Sequence, residues 1–144
     1  MEKIKVAFLG LDHVHASQMY SCMNTMPEDV EFIGMADFLS NDEEVVSEKV
    51  LRNCAKSMRD AVKLYLDYNE LLSLKPDLVM INSDVKSHAD CAIEVLKRDL
   101  TAVVEKPMAF DFADAKRMYV AAKESKGDLI INWPIAWFPA FNKV

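Results

Sequence analysis

Glycine is scarce in this sequence, three residues in 144, and the five prolines are scattered. That composition excludes collagen-like, linker-rich and low-complexity architectures. Positive charge is also short. Seventeen Lys and Arg stand against 23 Asp and Glu, for a net charge of −6. The overall field therefore disfavours nucleic acid and anionic membranes, and an anionic ligand would need local positive potential. No apolar run is long enough to cross a bilayer, and the opening residues carry no small-residue cleavage pattern. Neither a membrane span nor a signal peptide is expected. Cysteine is limited to Cys22, Cys54 and Cys91, an odd number and widely spaced. Reduced core thiols in a cytoplasmic protein are expected, rather than disulfides or a zinc site. What remains is 51% apolar and 28% charged, the balance of one globular domain able to bury its own core.

Short apolar runs recur along the chain. Residues 4–9, 31–36, 64–66, 78–82, 100–104 and 129–131 read as strands, apolar on both faces. Between them lie helical patterns. After Gly10, the residues Val14, Met19, Met23 and Met26 are expected on one face, with Pro27 closing the segment. From Asn41 to Met58, an Asn41–Glu44 capping box precedes Val46, Val50, Cys54 and Met58 at a spacing of four. A helical turn is expected over 69–74, a helix from Ser87 to Arg98, and another from Asp111 to Lys126 stopped by Gly127. Strands alternating with helices predict an α/β domain, a doubly wound parallel sheet of Rossmann type with helices on both faces. Ligands of such sheets bind beyond the carboxyl ends of the strands, where the strand order reverses. The residues just after each strand are therefore the candidates.

The first turn reads Gly10-Leu11-Asp12-His13-Val14-His15. A dinucleotide turn needs glycine for the bend, a small residue under the pyrophosphate and a third for close helix packing. Only Gly10 meets this, and a carboxylate at Asp12 would repel a diphosphate. Either Asp12 caps the helix, or the phosphates sit further out. His13 or His15 could donate to phosphate from the helix N-terminus, or be ordinary loop residues. The His13–His15 pair has no evident third ligand, so no metal is expected. Asp37, just past the second strand, stands where a ribose diol of NAD is held and where a 2′-phosphate of NADP would be repelled; it also suits a simple turn. Glu105-Lys106-Pro107 follows the fifth strand. There Lys106 could reach a substrate oxygen or cofactor ribose, with the neighbouring carboxylate holding its ammonium and Pro107 favouring an extended backbone.

Ser83-Asp84-Val85-Lys86-Ser87-His88 precedes Glu105-Lys106-Pro107, with Glu105 17 positions after His88. Together with residues 67–72 before Pro76-Asp77, this arrangement resembles the glucose–fructose oxidoreductase, inositol dehydrogenase and rhizopine-catabolism family across the whole chain. Ser83, Asp84 and Val85 depart from that family's Thr-Pro-Asn, and Asp99 stands where glycine is frequent.

The resemblance implies that Gly10, Leu11, Asp12, His13, Val14 and His15 cradle a pyrophosphate and that Asp37 binds the adenosine ribose. It implies that Ser83 and His88 line the cofactor cleft. Glu105 and Lys106 would sit by the nicotinamide ribose, with Lys106 as the catalytic candidate. The implied cofactor is NAD rather than NADP, and the substrate a sugar, polyol or related hydroxy compound. Residues 1–131 would be the dinucleotide-binding domain, and the aromatic-rich residues 132–144 a crossover toward a substrate domain outside this chain, possible oligomer contacts with it. The competing expectation is a non-catalytic binding or assembly module that has lost its cofactor, as Asp12 and the absent glycines suggest. Another Rossmann-type enzyme, such as a methyltransferase, would leave Glu105-Lys106-Pro107 without work.

Overall fold

The structure is a computed structural model and describes residues 2–133. Six strands form one sheet: β1 (Ile4–Leu9), β2 (Val30–Ala36), β3 (Leu64–Tyr65), β4 (Leu78–Ile81), β5 (Thr101–Glu105) and β6 (Leu129–Asn132). Their order is β3-β2-β1-β4-β5-β6, and every neighbouring pair is parallel. All six strands read from sequence are present, and β6 takes in Asn132, one residue past the expected domain boundary. Helices α1 (His15–Met23), α2 (Glu43–Asn53) and α3 (Lys56–Ala61) cover one face. Helices α4 (Tyr68–Ser73), α5 (His88–Leu96) and α6 (Phe112–Glu124) cover the other.

The physical reason is in the strands. Val6, Ala7, Phe8 and Leu9 are all fully buried, so successive residues of β1 feed opposite layers. Val6 and Phe8 join Val46, Val50 and Met58 on one side, while Ala7 and Leu9 join Leu71, Val95 and Met118 on the other. Each large side chain buried this way contributes about 1.5–3 kcal/mol. β1 and β4 are adjacent, and the chain winds outward from them in both directions. The crevice at their carboxyl ends is therefore the topological switch point.

Several local expectations are corrected. The segment 41–58 is two helices, not one. Cys54 and Ala55 are extended, and the Ala55 amide donates to Ser17 Oγ at 2.7 Å. The break leaves Cys54 and Met58 both buried, so the spacing of four persists through it. Asp42, not Asn41, caps α2, accepting from the Glu44 and Val45 amides. The buried face of α1 is Ala16 and Tyr20, with Met19 and Met23 against it; Val14 and Met26 are exposed. α6 ends at Glu124 with Ser125 extended, so Gly127 is no helix cap. Its hydrogen faces the Leu100 carbonyl, which a Cβ would approach to 2.2 Å, and close backbone packing is what requires glycine there. Asp99 does take the left-handed conformation, φ 59°, that suits glycine. Cys22 is exposed rather than a core thiol, whereas Cys54 and Cys91 are buried; all three are unpaired.

Candidate functional site

Gly10 has φ +81°, and a Cβ on it would lie 2.5 Å from the Ser83 amide. The turn after β1 and the loop after β4 thus touch backbone to backbone. Further bonds hold the turn. The Gly10 amide donates to the Ala36 carbonyl at 2.9 Å and the Asp12 amide to the Asn82 carbonyl at 3.1 Å. Asn53 Nδ2 donates to the Leu11 carbonyl at 2.7 Å. The Leu11 side chain is wholly buried in the core, so Leu11 meets the crevice through its backbone alone. Val14 is the N-cap residue of α1 and is exposed; its side chain makes no capping bond, and Asp12 is not the cap.

Asp12 has a different partner. Lys49 Nζ, on α2, lies 2.8 Å from Asp12 Oδ1 and 2.8 Å from Asp37 Oδ2. Burial of the ammonium works against its charge, but the two carboxylates outweigh that and hold its pKa above the usual lysine value. The Asp37 side chain is fully buried, and Asp37 Oδ1 and Asp12 Oδ2 have no hydrogen-bond partner among the described residues. Asn82 Oδ1, between β4 and the touching loops, is likewise unpartnered. Sequence reasoning missed Lys49. The only signal is its place one turn before Asn53, beside the Val46–Val50–Cys54 stripe of α2.

The two histidines of the turn are arranged by each other and by Glu105. His13 Nδ1 accepts from the His15 amide at 3.1 Å, and the two rings meet at 4.0 Å. Burial lowers the His13 pKa, and the neighbouring His15 lowers it further. His13 is therefore neutral at pH 7, with its proton on Nε2, a hydrogen-bond donor. His15 Nδ1 lies 3.1 Å from Glu105 Oε2. Glu105 is buried, and its Oε1 accepts from Asn132 Nδ2 at 2.6 Å. So Glu105 holds His15 and Asn132, and among the described residues it is not the partner of Lys106, contrary to expectation. Lys106 is half-buried at the carboxyl end of β5, and its bond to Pro107 is cis.

The loop after β4 is tightly bonded. Ser83 is buried at the contact with Gly10. His88 is 1% exposed, with Nδ1 2.9 Å from the Pro107 carbonyl and Nε2 3.1 Å from the Ser83 carbonyl. Its ring faces protein on both edges and ties the β4 loop to the Lys106–Pro107 segment. Asp84 accepts from the Lys86 amide and the Ser87 hydroxyl; partial burial opposes its charge, and these bonds win, keeping its pKa below the ordinary value. Burial pushes the Cys91 thiol up to about 12.

A cavity of about 320 Å³ opens beside Asp37, lined by Phe38, Leu39, Ser40, Asn41, Tyr68 and their neighbours. The Phe38 and Tyr68 rings stand 5.1 Å apart. A larger concavity, about 700 Å³, lies between α5 and α6 on the back of the sheet and reaches none of these residues. Among the described residues, no helix is long and apolar enough to cross a membrane.

A six-stranded parallel sheet of this order, with a glycine turn at its switch point, is a dinucleotide-binding fold. The chain belongs to the Gfo/Idh/MocA oxidoreductase family, whose model, described as an NAD-binding Rossmann fold, matches residues 4–132. It is similar to inositol 2-dehydrogenase of Salmonella typhimurium, 24% identical over 130 residues, covering 90% of this chain and 36% of that protein. It is 31% identical over 111 residues to glycosyl hydrolase family 109 protein 2 of Akkermansia muciniphila, covering 74% of this chain and 22% of that one. Its fold matches the WlbA dehydrogenase of Bordetella pertussis, solved with NADH and UDP-GlcNAcA, with a TM-score of 0.77 at 18% identity, over 98% of this chain and 40% of that one. The chain thus spans little more than a third of the inositol dehydrogenase it matches.

Proposed function

We propose that this chain is the cofactor-binding part of an NAD-dependent oxidoreductase acting on a sugar, polyol or related hydroxy compound. The observation that carries this is Asp37: a buried carboxylate at the end of β2, beside the Gly10 turn, with one oxygen lacking a donor among the described residues. A ribose hydroxyl supplies that donor, and a 2′-phosphate meets a like charge, which favours NAD over NADP. The residues present fit the cofactor. Gly10 to His15 offer backbone at the N-terminus of α1, and the neutral His13 offers Nε2–H to a phosphate oxygen. The cavity beside Asp37, lined by Phe38, Leu39 and Tyr68, offers apolar and aromatic surface to an adenine ring. The bound nicotinamide would accept or release hydride at a carbon bearing a hydroxyl or carbonyl.

Around it, Lys106 would hold or move a proton at the substrate oxygen through Nζ. Glu105 would hold His15 and Asn132 in place through its two oxygens. Ser83 and His88 would set the position of the loops flanking the cleft, His88 through carbonyls rather than by facing the cofactor. The relatives' length supports a substrate-binding domain beyond the residues matched here, with residues 132–144 as the crossover; 134–144 lie outside the described residues. In that reading, this chain alone turns over no polyol, because Lys106 by itself does not orient a substrate.

Titration with NADH and NADPH, read by calorimetry, tests the proposal. NADH binds, and Asp37→Ala weakens it about tenfold, the loss of one charged hydrogen bond. Absence of binding to either nucleotide at millimolar concentration would instead support the second reading, a binding module without cofactor. The feature favouring that reading is the carboxylate of Asp12 in the phosphate turn.

A further inference from the structure

A diphosphate placed on the turn after β1 meets Asp12, and a ribose placed beside it meets Asp37. Two carboxylates on one anionic ligand would be self-defeating without a counter-charge. The structure contains one. Lys49 reaches across from α2 and touches both, at 2.8 Å each, with only 17% of its side chain exposed. α2 is well anchored for this purpose. Its Asp42 cap fixes one end, Val46 and Val50 bury its face, and Asn53, a turn beyond Lys49, bonds the Leu11 carbonyl of the same turn. The ammonium is thus delivered by a rigid element to a single point between the phosphate turn and the ribose carboxylate. An ammonium so held is poorly hydrated, which strengthens its effect on nearby charge.

We propose that Lys49 is a specificity-determining residue of the dinucleotide site: it offsets Asp12 beneath the diphosphate and Asp37 beside the ribose, and so sets both the affinity and the NAD to NADP ratio. The inference rests on the reading of this site as one for a dinucleotide. Its content is separate, because Asp37 and the glycine turn would define such a site with any residue at position 49. The two carboxylates are left with a net charge of −1 by Lys49, and with −2 without it. Removing the ammonium therefore penalises every phosphate nearby, and most of all a 2′-phosphate, which stands closest to Asp37.

The test is calorimetric titration of the chain with NADH and NADPH, with a thermal melt of each variant beside it. Lys49→Met is expected to weaken NADH about tenfold and NADPH by about a hundredfold, the scale of one and two charged contacts. Asp12→Asn is expected to tighten both nucleotides severalfold, and the double variant to return NADH to near the wild-type value. Lys49→Arg, which keeps the charge, is expected to bind NADH within about threefold of wild type. A structural role for Lys49 alone would lower the melting temperature and would not be rescued by Asp12→Asn. If Lys49→Met does not fold, Asp12→Asn decides, since Lys49 then still pairs with Asp37. Tightened binding supports the proposal, and unchanged affinity overturns it. Wild type binding NADH with Lys49→Met binding both nucleotides equally well overturns this proposal alone. Wild type binding neither nucleotide overturns the functional reading and this inference with it.

Discussion

The two halves of the sheet hold their strand-end residues in opposite ways. On the β1–β2 side, charged groups meet directly: Asp12, Lys49 and Asp37 form a chain of ion pairs, and two carboxylate oxygens have no partner among the described residues. On the β4–β5 side, hydrogen bonds within and between the loops do the holding, and among the described residues Asn82 Oδ1 is the one buried side-chain oxygen without a partner there. His88 lies between two carbonyls, Asp84 is folded onto its own loop, and Glu105 is shared by His15 and Asn132. Charge without full satisfaction suits a surface that must exchange partners when an anionic ligand arrives. A denser hydrogen-bond network suits a surface that must keep its shape. On the proposed function, the first half would recognise and the second would position.

If the second half is a rigid frame, its centre is the place to break the molecule. His88→Ala removes a buried ring that packs between the Pro107 and Ser83 carbonyls and takes away the ring N–H donor available to them. The expected loss is about 3 kcal/mol, combining a cavity with unsatisfied acceptors. Chemical denaturation measures it. A loss below about 1 kcal/mol would mean that the two carbonyls find water, and the frame would not be rigid. Asp37→Asn on the other side removes a buried charge while Lys49 keeps Asp12 as partner, so a smaller loss is expected there.

A second contrast is chemical. Cys91 sits in the second half with its thiol pushed up to about 12 by burial, and burial raises Cys54 on the first-half face as well. Cys22 is exposed on α1. Alkylation at pH 8 followed by mass spectrometry should label Cys22 within minutes and leave the other two until the chain is unfolded. Labelling of Cys91 at the rate of Cys22 would show that α5 opens locally, and the second half would lose its claim to rigidity.

The strands were legible because parallel strands are buried on both faces and read as unbroken apolar runs; β1 needs no further signal than Val6 to Leu9. The ends of the strands are legible too: each lies within one residue of its expected position. Other features were not. The Val46–Val50–Cys54–Met58 spacing continues through the α2–α3 break, so periodicity conceals it. Lys49 and Asp12 are 37 residues apart in sequence, and His15 and Glu105 are 90 apart. Such pairs exist only through tertiary packing. Adjacency in sequence points Glu105 to Lys106. In a strand, adjacent side chains point to opposite faces, and the carboxylate went to the turn across the sheet instead.

The smallest effect separates the halves by pH. Lys49 has a raised pKa, so its contribution to stability is complete below the unfolded lysine value near 10.5 and is lost as pH rises through the higher folded value. Asp84 has a lowered pKa, so its contribution is present above the unfolded value near 3.8 and is lost as pH falls through the lower folded value. The recognising half should therefore limit stability at the alkaline end, and the positioning half at the acid end. Asp84 is exposed, and solvent screening keeps its share to a few tenths of a kcal/mol. Denaturation midpoints collected from pH 2 to 12 measure both limbs. Lys49→Arg should flatten the alkaline limb alone, because a guanidinium does not deprotonate in that range. Asp84→Asn should flatten the acid limb alone, since its amide keeps an acceptor for the Ser87 hydroxyl and does not titrate. If either substitution moved the opposite limb, the two halves would be electrostatically coupled across the Gly10–Ser83 contact, and the division of labour between them would fail.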